Sequence, residues 1–346
     1  MSIDWKVLGR PGEDNALHLK IDTGQSIHPL LVDCGEKVLD SLRIGEIQAI
    51  EHLCFSHLHM DHVCGFDTFF RHNYNRPEFP VSVWGPEKTI ELLHHRFRSF
   101  VWNLHHEQPG DWVVHEICEG LDLTPQDIES ARFATKEAFA VRKDQPSRPI
   151  AGGVALKTKA FSMKTICLPH HTTRSIGYRF QEDPKQNVDP DALRHCGLQP
   201  GPWLQALIDE TLPDTHLLSV VGKEISLEEL RKTLLVESPG SSLAYLTDFR
   251  VEPGTSDWSQ LVTWLEGTET LVCESQYRSG DHLLARKNGH MTTDLVGRLS
   301  REAQVENLTL IHLSRRYRED EWQEMRDEVR KEFPRASFPP AWTIAS

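Results

Sequence analysis

The sequence predicts an α/β protein in which short buried strands alternate with helices. Two runs carry that expectation. Residues 29–35, Pro-Leu-Leu-Val-Asp-Cys-Gly, are an apolar stretch stopped by Asp33 and Gly35, and residues 49–55 are a second stretch that ends at a cluster of histidines. Runs of this length bounded by turn residues read as buried strands, and the helical spacing between them completes the alternation. A chain of 346 residues can bury a sizeable core, and we expect one domain, 1–346, carrying insertions.

The elements follow in order. Residues 36–48 read as helical, and 65–74 begin the next helix after the histidine cluster. Residues 80–85 are strand-like and 89–100 helical. The stretch about 101–150 has weaker periodicity, punctuated by Pro109-Gly110 and Gln145-Pro146, and reads as an insertion. Residues from about 181 to 222 are rich in Pro, Asp and Gly, which suits a protruding arm or a long loop. Alternation returns at 242–247 and 270–273. A helix near 292–303, a strand at 308–313 and a charged, mostly exposed terminal helix at 319–333 close the chain.

Composition narrows the function classes. The formal net charge of −13 gives no basic field to attract nucleic acid. A polyanionic substrate would need a local basic patch or bound metals, which counts against a nonspecific nucleic-acid binder. Seven scattered cysteines, odd in number and never in a Cys-x-x-Cys pair, fit a reduced cytosol. No apolar signal core opens the chain, and nothing approaches the roughly 20 apolar residues that a membrane helix needs. The expectation is a soluble, unexported, cytoplasmic protein, and a homodimer is left open.

The run Ser56-His57-Leu58-His59-Met60-Asp61-His62 packs four metal-competent side chains into six residues directly after an apolar stretch. In extended chain, alternate residues point the same way, so His57 and His59 can share one ion. Asp61 and His62 follow where the chain turns toward a second ion. Imidazole with carboxylate suits zinc, and Mn²⁺ and Fe fit similar ligands. A histidine-rich surface loop is the alternative. His94-His95 and His105-His106 read that way, since they lack a carboxylate and a preceding strand. Three more segments place metal-competent side chains at the ends of apolar strands: 168–171 with His170 and His171, 243–248 with Asp248, and 308–312 with His312.

With these segments in hand, the chain closely resembles the metallo-β-lactamase superfamily and, within it, the ribonuclease Z family, endonucleases that mature the 3′ end of precursor tRNA. The motifs that carry the resemblance run from about Leu30 to Tyr317. They are Val32-Asp33-Cys34-Gly35-Glu36, His57-x-His59-x-Asp61-His62, and His171 spaced six residues before Gly177-Tyr178. Further along come Gly197-Leu-Gln-Pro-Gly-Pro-Trp203, Cys273-Glu274-Ser-Gln-Tyr277, His290-Met-Thr-Thr293, and Ile311-His312-Leu-Ser314-Arg-Arg316-Tyr317. The resemblance implies an αββα sandwich with an inserted segment and an exosite-like arm. It also implies two zinc ions, one held by His57, His59 and His171, the other by Asp61, His62 and His312, with Asp248 bridging. It selects His171 over His170.

The chemistry the resemblance implies is phosphodiester hydrolysis, with Asp61 orienting the nucleophile and His290, held by Glu274, giving a proton to the leaving oxygen. The alternative for that pair is a buried hydrogen bond without a catalytic role. Ser314 and Arg316 would grip the phosphate, or Arg316 would form a surface salt bridge. Asp33 would orient the metal loop or be an ordinary strand-end carboxylate. Leu246-Thr247-Asp248-Phe249 stands where the family has Ser-Gly-Asp-Thr, and Met291 where it has Ser. The arm-like segment carries Lys185 and Arg194 against Glu182, Asp183, Asp189, Asp191, Asp209, Glu210 and Asp214. Its acidity keeps a second hydrolase reading alive, with a small phosphodiester or another ester as substrate. A third reading, a non-catalytic binding relative, is disfavoured by the complete ligand set.

Overall fold

The computed structural model describes residues 3–23, 26–77, 80–209, 211–238 and 240–344. The chain divides into two compact units, Met1–Gln181 with Ser241–Ser346, and Glu182–Gly240.

The larger unit is built on two sheets. The first has eight strands in chain order: Ile3–Leu8 (β1), Ala16–Asp22 (β2), Ile27–Val32 (β3), His52–Cys54 (β4), Val81–Pro86 (β5), Asp111–Glu119 (β6), Pro125–Ala134 (β7) and Lys143–Pro149 (β8). Strands β3 to β6 are parallel, and the flanking pairs are antiparallel. The stretch read as an insertion therefore supplies three strands. Its weak periodicity has a physical source, because β8 is exposed along its whole length and carries Pro146 and Pro149. That is the composition of an edge strand.

The smaller unit holds the next elements after Val154–Lys157 (β9), Phe161–His170 (β10) and Thr173–Glu182 (β11). Lys185–Val188 (β12) pairs with Leu235–Ser238 (β15), and Leu217–Val220 (β13) with Lys223–Ser226 (β14). Its core is Leu193, Leu207, Val220, Leu227, Leu230 and Leu234. The last three lie on the amphipathic helix Leu227–Leu234, and they carry the unit past residue 222, where the arm-like composition ends.

The second sheet of the larger unit is completed by Ser242–Leu246 (β16), Thr270–Glu274 (β17), Asn307–Ile311 (β18) and Ala336–Ser337 (β19). Its order is β19-β18-β17-β16-β11-β10-β9, with β16 to β19 parallel. The two sheets face one another, and side-chain alternation builds the layers. Leu30 and Val32 of β3 join Tyr178, Tyr245, Val272 and Ile311 between the sheets. Leu31 turns the other way, onto the helices Phe66–Asn73 and Thr89–Phe97. On the far face, Ala244, Leu246 and Leu271 pack with residues of Ser256–Leu265, Thr293–Glu302 and Glu319–Glu332. The result is the expected αββα sandwich.

Two helices differ from the sequence reading. Residues 36–48 form a 3-10 turn, Val38–Ser41, and a short α-helix, Ile44–Ala49, because Leu42 and Arg43 between them are extended. The terminal helix buries Trp322, Met325 and Val329. Their spacing of three and four residues forms one stripe among the charges. All seven cysteines are unpaired thiols, and among the described residues no helix is long and apolar enough to cross a membrane.

Candidate metal centre

The site begins with a buried carboxylate. Asp33 follows β3, takes a left-handed φ of 62° and is fully buried. Its Oδ1 accepts from the Ser56 amide at 2.7 Å; its Oδ2 accepts from Ser56 Oγ at 2.8 Å, His62 Nδ1 at 2.9 Å and Tyr245 Oη at 3.1 Å. A charge taken out of water must be paid for by such donors. Here they clamp both ends of the 56–62 loop. Two glycines let the loop approach. A Cβ on Gly35 would lie 2.2 Å from the Asp61 carbonyl oxygen, and one on Gly65 would lie 2.2 Å from that of Gly35.

From this loop the ligands converge with side chains from three other strand ends. His57, His59, His170 and Asp248 form one group, and Asp61, His62 and His312 a second. Asp248 stands between them and divides its two oxygens. Oδ2 lies 3.6 Å from His57 Nε2 and 3.8 Å from His170 Nε2, while Oδ1 lies 3.5 Å from His62 Nε2 and 3.3 Å from His312 Nε2. Thr247, which stands where the resemblance expects glycine, donates to Asp248 Oδ1 at 2.6 Å, so the altered turn still holds the carboxylate.

The residues fit bound metal by two tests. The Nε2 atoms of His57 and His62 are buried and have no hydrogen-bond partner, an arrangement that is costly unless something else occupies them. In addition, the distal nitrogens are held by the protein. His62 Nδ1 donates to Asp33, His170 Nδ1 donates to the Gly289 carbonyl at 3.0 Å, and His57 Nδ1 lies 3.1 Å from Ser56 Oγ. Such contacts fix ring orientation and leave Nε2 as the ligand atom.

Charge divides between the two groups, and the carboxylates of Asp33 and Asp248 raise the pKa of His62 against its burial. Burial lowers the pKa of His57 and of His170, which keeps those rings neutral and their lone pairs available. Burial also pulls on His312, but the carboxylates of Asp248 and Asp61 outweigh it and hold the group up at about 9. Asp61 and Asp248 are pushed below the usual carboxylate range, since the neighbouring imidazoles outweigh their burial. Both are therefore ionised and ready to accept a cation.

The structure departs from the expected ligand set at one position. His171 is exposed, with φ 52°, and His170 takes its place in the cluster. The reason is local. Strand β10 ends at His170 and β11 begins at Thr173, so His171 and Thr172 are the tip of a two-residue turn. The first residue of such a turn commonly takes positive φ and faces solvent. Counting back from Gly177-Tyr178 misses this; noticing that the two strands leave only two residues for the turn would have found it.

The remaining expected residues divide. Glu274 is fully buried, and its Oε2 lies 3.1 Å from His290 Nδ1. It also accepts the Phe249 amide at 2.7 Å. The His290 ring lies 5.1 Å from that of His170 and 5.5 Å from that of His312. Ser314 lines a cavity of about 200 Å³ beside Asp61, His62 and His312, but the arginine that lines it is Arg315, with Gln276 and Asn15. Arg316 instead lies over the Tyr317 ring at 5.6 Å. Sequence reasoning missed Asn15 and Gln276, which hold His312. The Asn15 side chain accepts its amide at 3.1 Å, and the Gln276 amide lies 3.0 Å from its Nδ1.

This geometry separates two neighbouring histidines. His170→Ala should remove about half of the bound transition metal from purified protein, while His171→Ala should leave metal content within error of the parent. Elemental analysis that gave the opposite order would return the ligand position to 171.

Comparison with known proteins bears on what such a centre does. The family described as anti-Pycsar protein Apyc1 matches residues 15–122. Ribonuclease Z of Deinococcus radiodurans is 38% identical over 336 residues, covering 97% of each chain. Ribonuclease Z of Kineococcus radiotolerans is 27% identical, covering 83% of this chain and 75% of its own. Among solved structures, the metallo-β-lactamase fold protein YhfI from Bacillus subtilis superposes with a TM-score of 0.54 at 15% identity, over 98% of this chain and 96% of its own. The short form of human tRNase Z gives 0.53 at 15% identity, over 91% and 93%. These structural likenesses show the metallo-β-lactamase fold. Identity over nearly the full length of both chains shows more: the chain belongs to the ribonuclease Z family of metal-dependent hydrolases.

Proposed function

We propose that this protein is a dinuclear zinc-dependent phosphodiesterase that cuts 3′-extended precursor tRNA and leaves a 3′-hydroxyl on the tRNA. The observation that carries the reading is the full-length likeness to ribonuclease Z in a chain whose Asp248 carboxylate lies within 3.8 Å of histidines from both ligand groups. His57, His59 and His170 with Asp248 would hold one ion, and Asp61, His62 and His312 with Asp248 the other. When bound, such ions acidify water toward neutral pH and neutralise charge building on phosphoryl oxygens. A reduced cytosolic setting fits the seven free thiols.

The chain's own residues supply the proton traffic. Asp61 is about half exposed at 48%, with Oδ2 turned toward His62 and His312. Its carboxylate orients the attacking water and accepts a proton from it. His290 has Nδ1 committed to Glu274, so Nε2 is the nitrogen left to deliver a proton to the leaving oxygen. Glu274 stabilises the charged ring and fixes its orientation. In the adjoining cavity, Ser314 and Arg315 are donors for non-bridging oxygens, and Arg315 offers the planar fork that suits a phosphate.

One feature favours a second reading, hydrolysis of a small phosphodiester. The smaller unit, Glu182–Gly240, carries eleven Asp and Glu against five Lys and Arg. Both of its arginines are already paired, Arg194 with Asp191 and Arg231 with Asp214. Such a surface repels a phosphate backbone, so few phosphate contacts and a shallow salt dependence are expected. The strands of the larger unit that flank this segment are neighbours, Gln181 lying opposite Ser242 across β11 and β16, so a short turn can replace it. The tRNA reading predicts that the intact protein cuts a 3′-extended precursor tRNA near the discriminator base. It also predicts that the shortened protein loses this while still hydrolysing a small diester. An intact protein that turns over small diesters but leaves precursor tRNA whole would establish the second reading instead.

The proton-donor role is tested separately. His290→Ala should slow single-turnover cleavage by roughly 10² to 10⁴, the usual contribution of a positioned acid, with metal content unchanged. A loss below about threefold, or one that tracks loss of metal, would reduce the Glu274–His290 pair to a structural contact.

A further inference from the structure

We infer that Arg250 is a positioning residue for catalysis: it holds the backbone of the proton donor His290 in register with the ligands His170 and Asp248, without touching substrate. This rests on the proposed role of His290.

Three chain segments meet behind the site, and Arg250 bonds to two of them from the third. Its backbone amide donates to the Pro169 carbonyl at 3.0 Å, immediately before His170. Its guanidinium Nη1 donates to the His290 carbonyl at 3.0 Å. Arg250 itself lies two residues after Asp248, which takes a left-handed φ of 50°. The segment 289–290 answers with consecutive carbonyls. That of Gly289 accepts from His170 Nδ1, and that of His290 accepts from Arg250. Gly289 is confined in this turn. Its φ is 70°, and a Cβ there would lie 2.9 Å from His171 Cδ2 and 3.1 Å from His170 Nδ1.

The guanidinium is itself fixed. Its side chain is 9% exposed, and Nε and Nη2 lie 3.0 and 2.9 Å from Glu252 Oε1. The same oxygen takes Arg286 Nε at 3.1 Å and Nη2 at 3.0 Å, on the helix His282–Asn288 that leads into the 289–291 turn. A planar fork can hold Glu252 on one side and reach the His290 carbonyl on another, which an ammonium cannot do at once. Without Arg250, the 290–291 backbone keeps the His290 amide bond to Ala285 at 3.0 Å and the Met291 amide bond to Glu274 at 3.3 Å. The His290 carbonyl, and with it the peptide that carries the ring, loses its charged anchor. A small shift of a proton donor is enough to lower the rate of the step that needs it.

That step defines the test. Water attacks phosphorus, the bond from phosphorus to the tRNA O3′ breaks, and O3′ receives the proton that His290 gives up. A sulfur in place of O3′ leaves as thiolate and needs no such proton. Single-turnover cleavage of a 3′-extended precursor tRNA and of its 3′-thio counterpart would be measured for the full-length protein, Arg250→Ala, Arg250→Lys, His290→Ala and the double variant.

Arg250→Ala should lose about tenfold or more on the oxygen substrate and at least severalfold less on the sulfur substrate, with zinc content unchanged. Arg250→Lys should recover part of the loss, and the double variant should be no slower than His290→Ala, as for residues acting as a unit. Equal losses on both substrates, loss of zinc, or multiplying losses in the double variant would overturn the inference. If His290→Ala also fails to distinguish oxygen from sulfur, the proton-donor reading falls and this inference with it. If only Arg250→Ala fails to do so, the inference alone falls. Should the intact protein cut neither RNA, the tRNA reading is contradicted. The same comparison then runs on small diesters with alkyl and 4-nitrophenyl leaving groups, with the same outcomes deciding.

Discussion

The site depends on one buried charge. Asp33 lies between the two sheets with no exposure, and four donors converge on it. Removing a carboxylate from water costs several kcal/mol unless hydrogen bonds replace what is lost. The donors that replace it here are chosen usefully. Two belong to Ser56 at the start of the metal loop, one to His62 at its end, and one to Tyr245 in the opposite sheet. The same bonds that make the burial tolerable therefore fix the loop's path, set the His62 tautomer and tie the first sheet to the strand that delivers Asp248.

Around that anchor, the ligands arrive where open α/β sheets place their functional residues, beyond the carboxyl ends of parallel strands. The loop with His57 follows β4, Asp248 follows β16, and His312 follows β18. The chain turns sharply at each arrival. Asp33, Asp248 and His312 all have φ between 50° and 62°, a region that costs about 1–3 kcal/mol for a residue with a Cβ. Each turn is held by bonds to groups distant in sequence. Asn15 accepts the His312 amide, Glu274 accepts the amide that follows Asp248, and the Cys34 amide donates to the His62 carbonyl at 2.8 Å. The strain is local and its compensation is global, so the geometry exists only in the folded domain.

This explains which parts of the site are legible in the sequence. His57, His59, Asp61 and His62 lie within six residues, and their clustering follows from alternation and a turn. Asp248 and His312 announce themselves at the ends of apolar runs. The choice between His170 and His171 is different, because it depends on where a hairpin turns: a spacing counted from Gly177 selects His171, whereas the turn brings His170 into the cluster. Arg315 and Arg316 are confused for a similar reason: a motif position names the arginine, but the path after β18 decides which one lines the cavity. Asn15 and Gln276 carry no local signal, since their role is to hold a residue that lies far from Asn15 along the chain. The fold reads more easily. The central strands are short and apolar because both faces are covered, whereas β8 gives no pattern because neither face is.

The central claim is that the residues on either side of Asp248 would hold two cations between them. Diffraction from zinc-loaded crystals, collected on both sides of the zinc absorption edge, tests it most directly. Two anomalous peaks per chain are expected on opposite sides of the Asp248 carboxylate, one among His57, His59 and His170 and the other among Asp61, His62 and His312. A single peak, or a peak beside His171 with none at His170, would contradict the account.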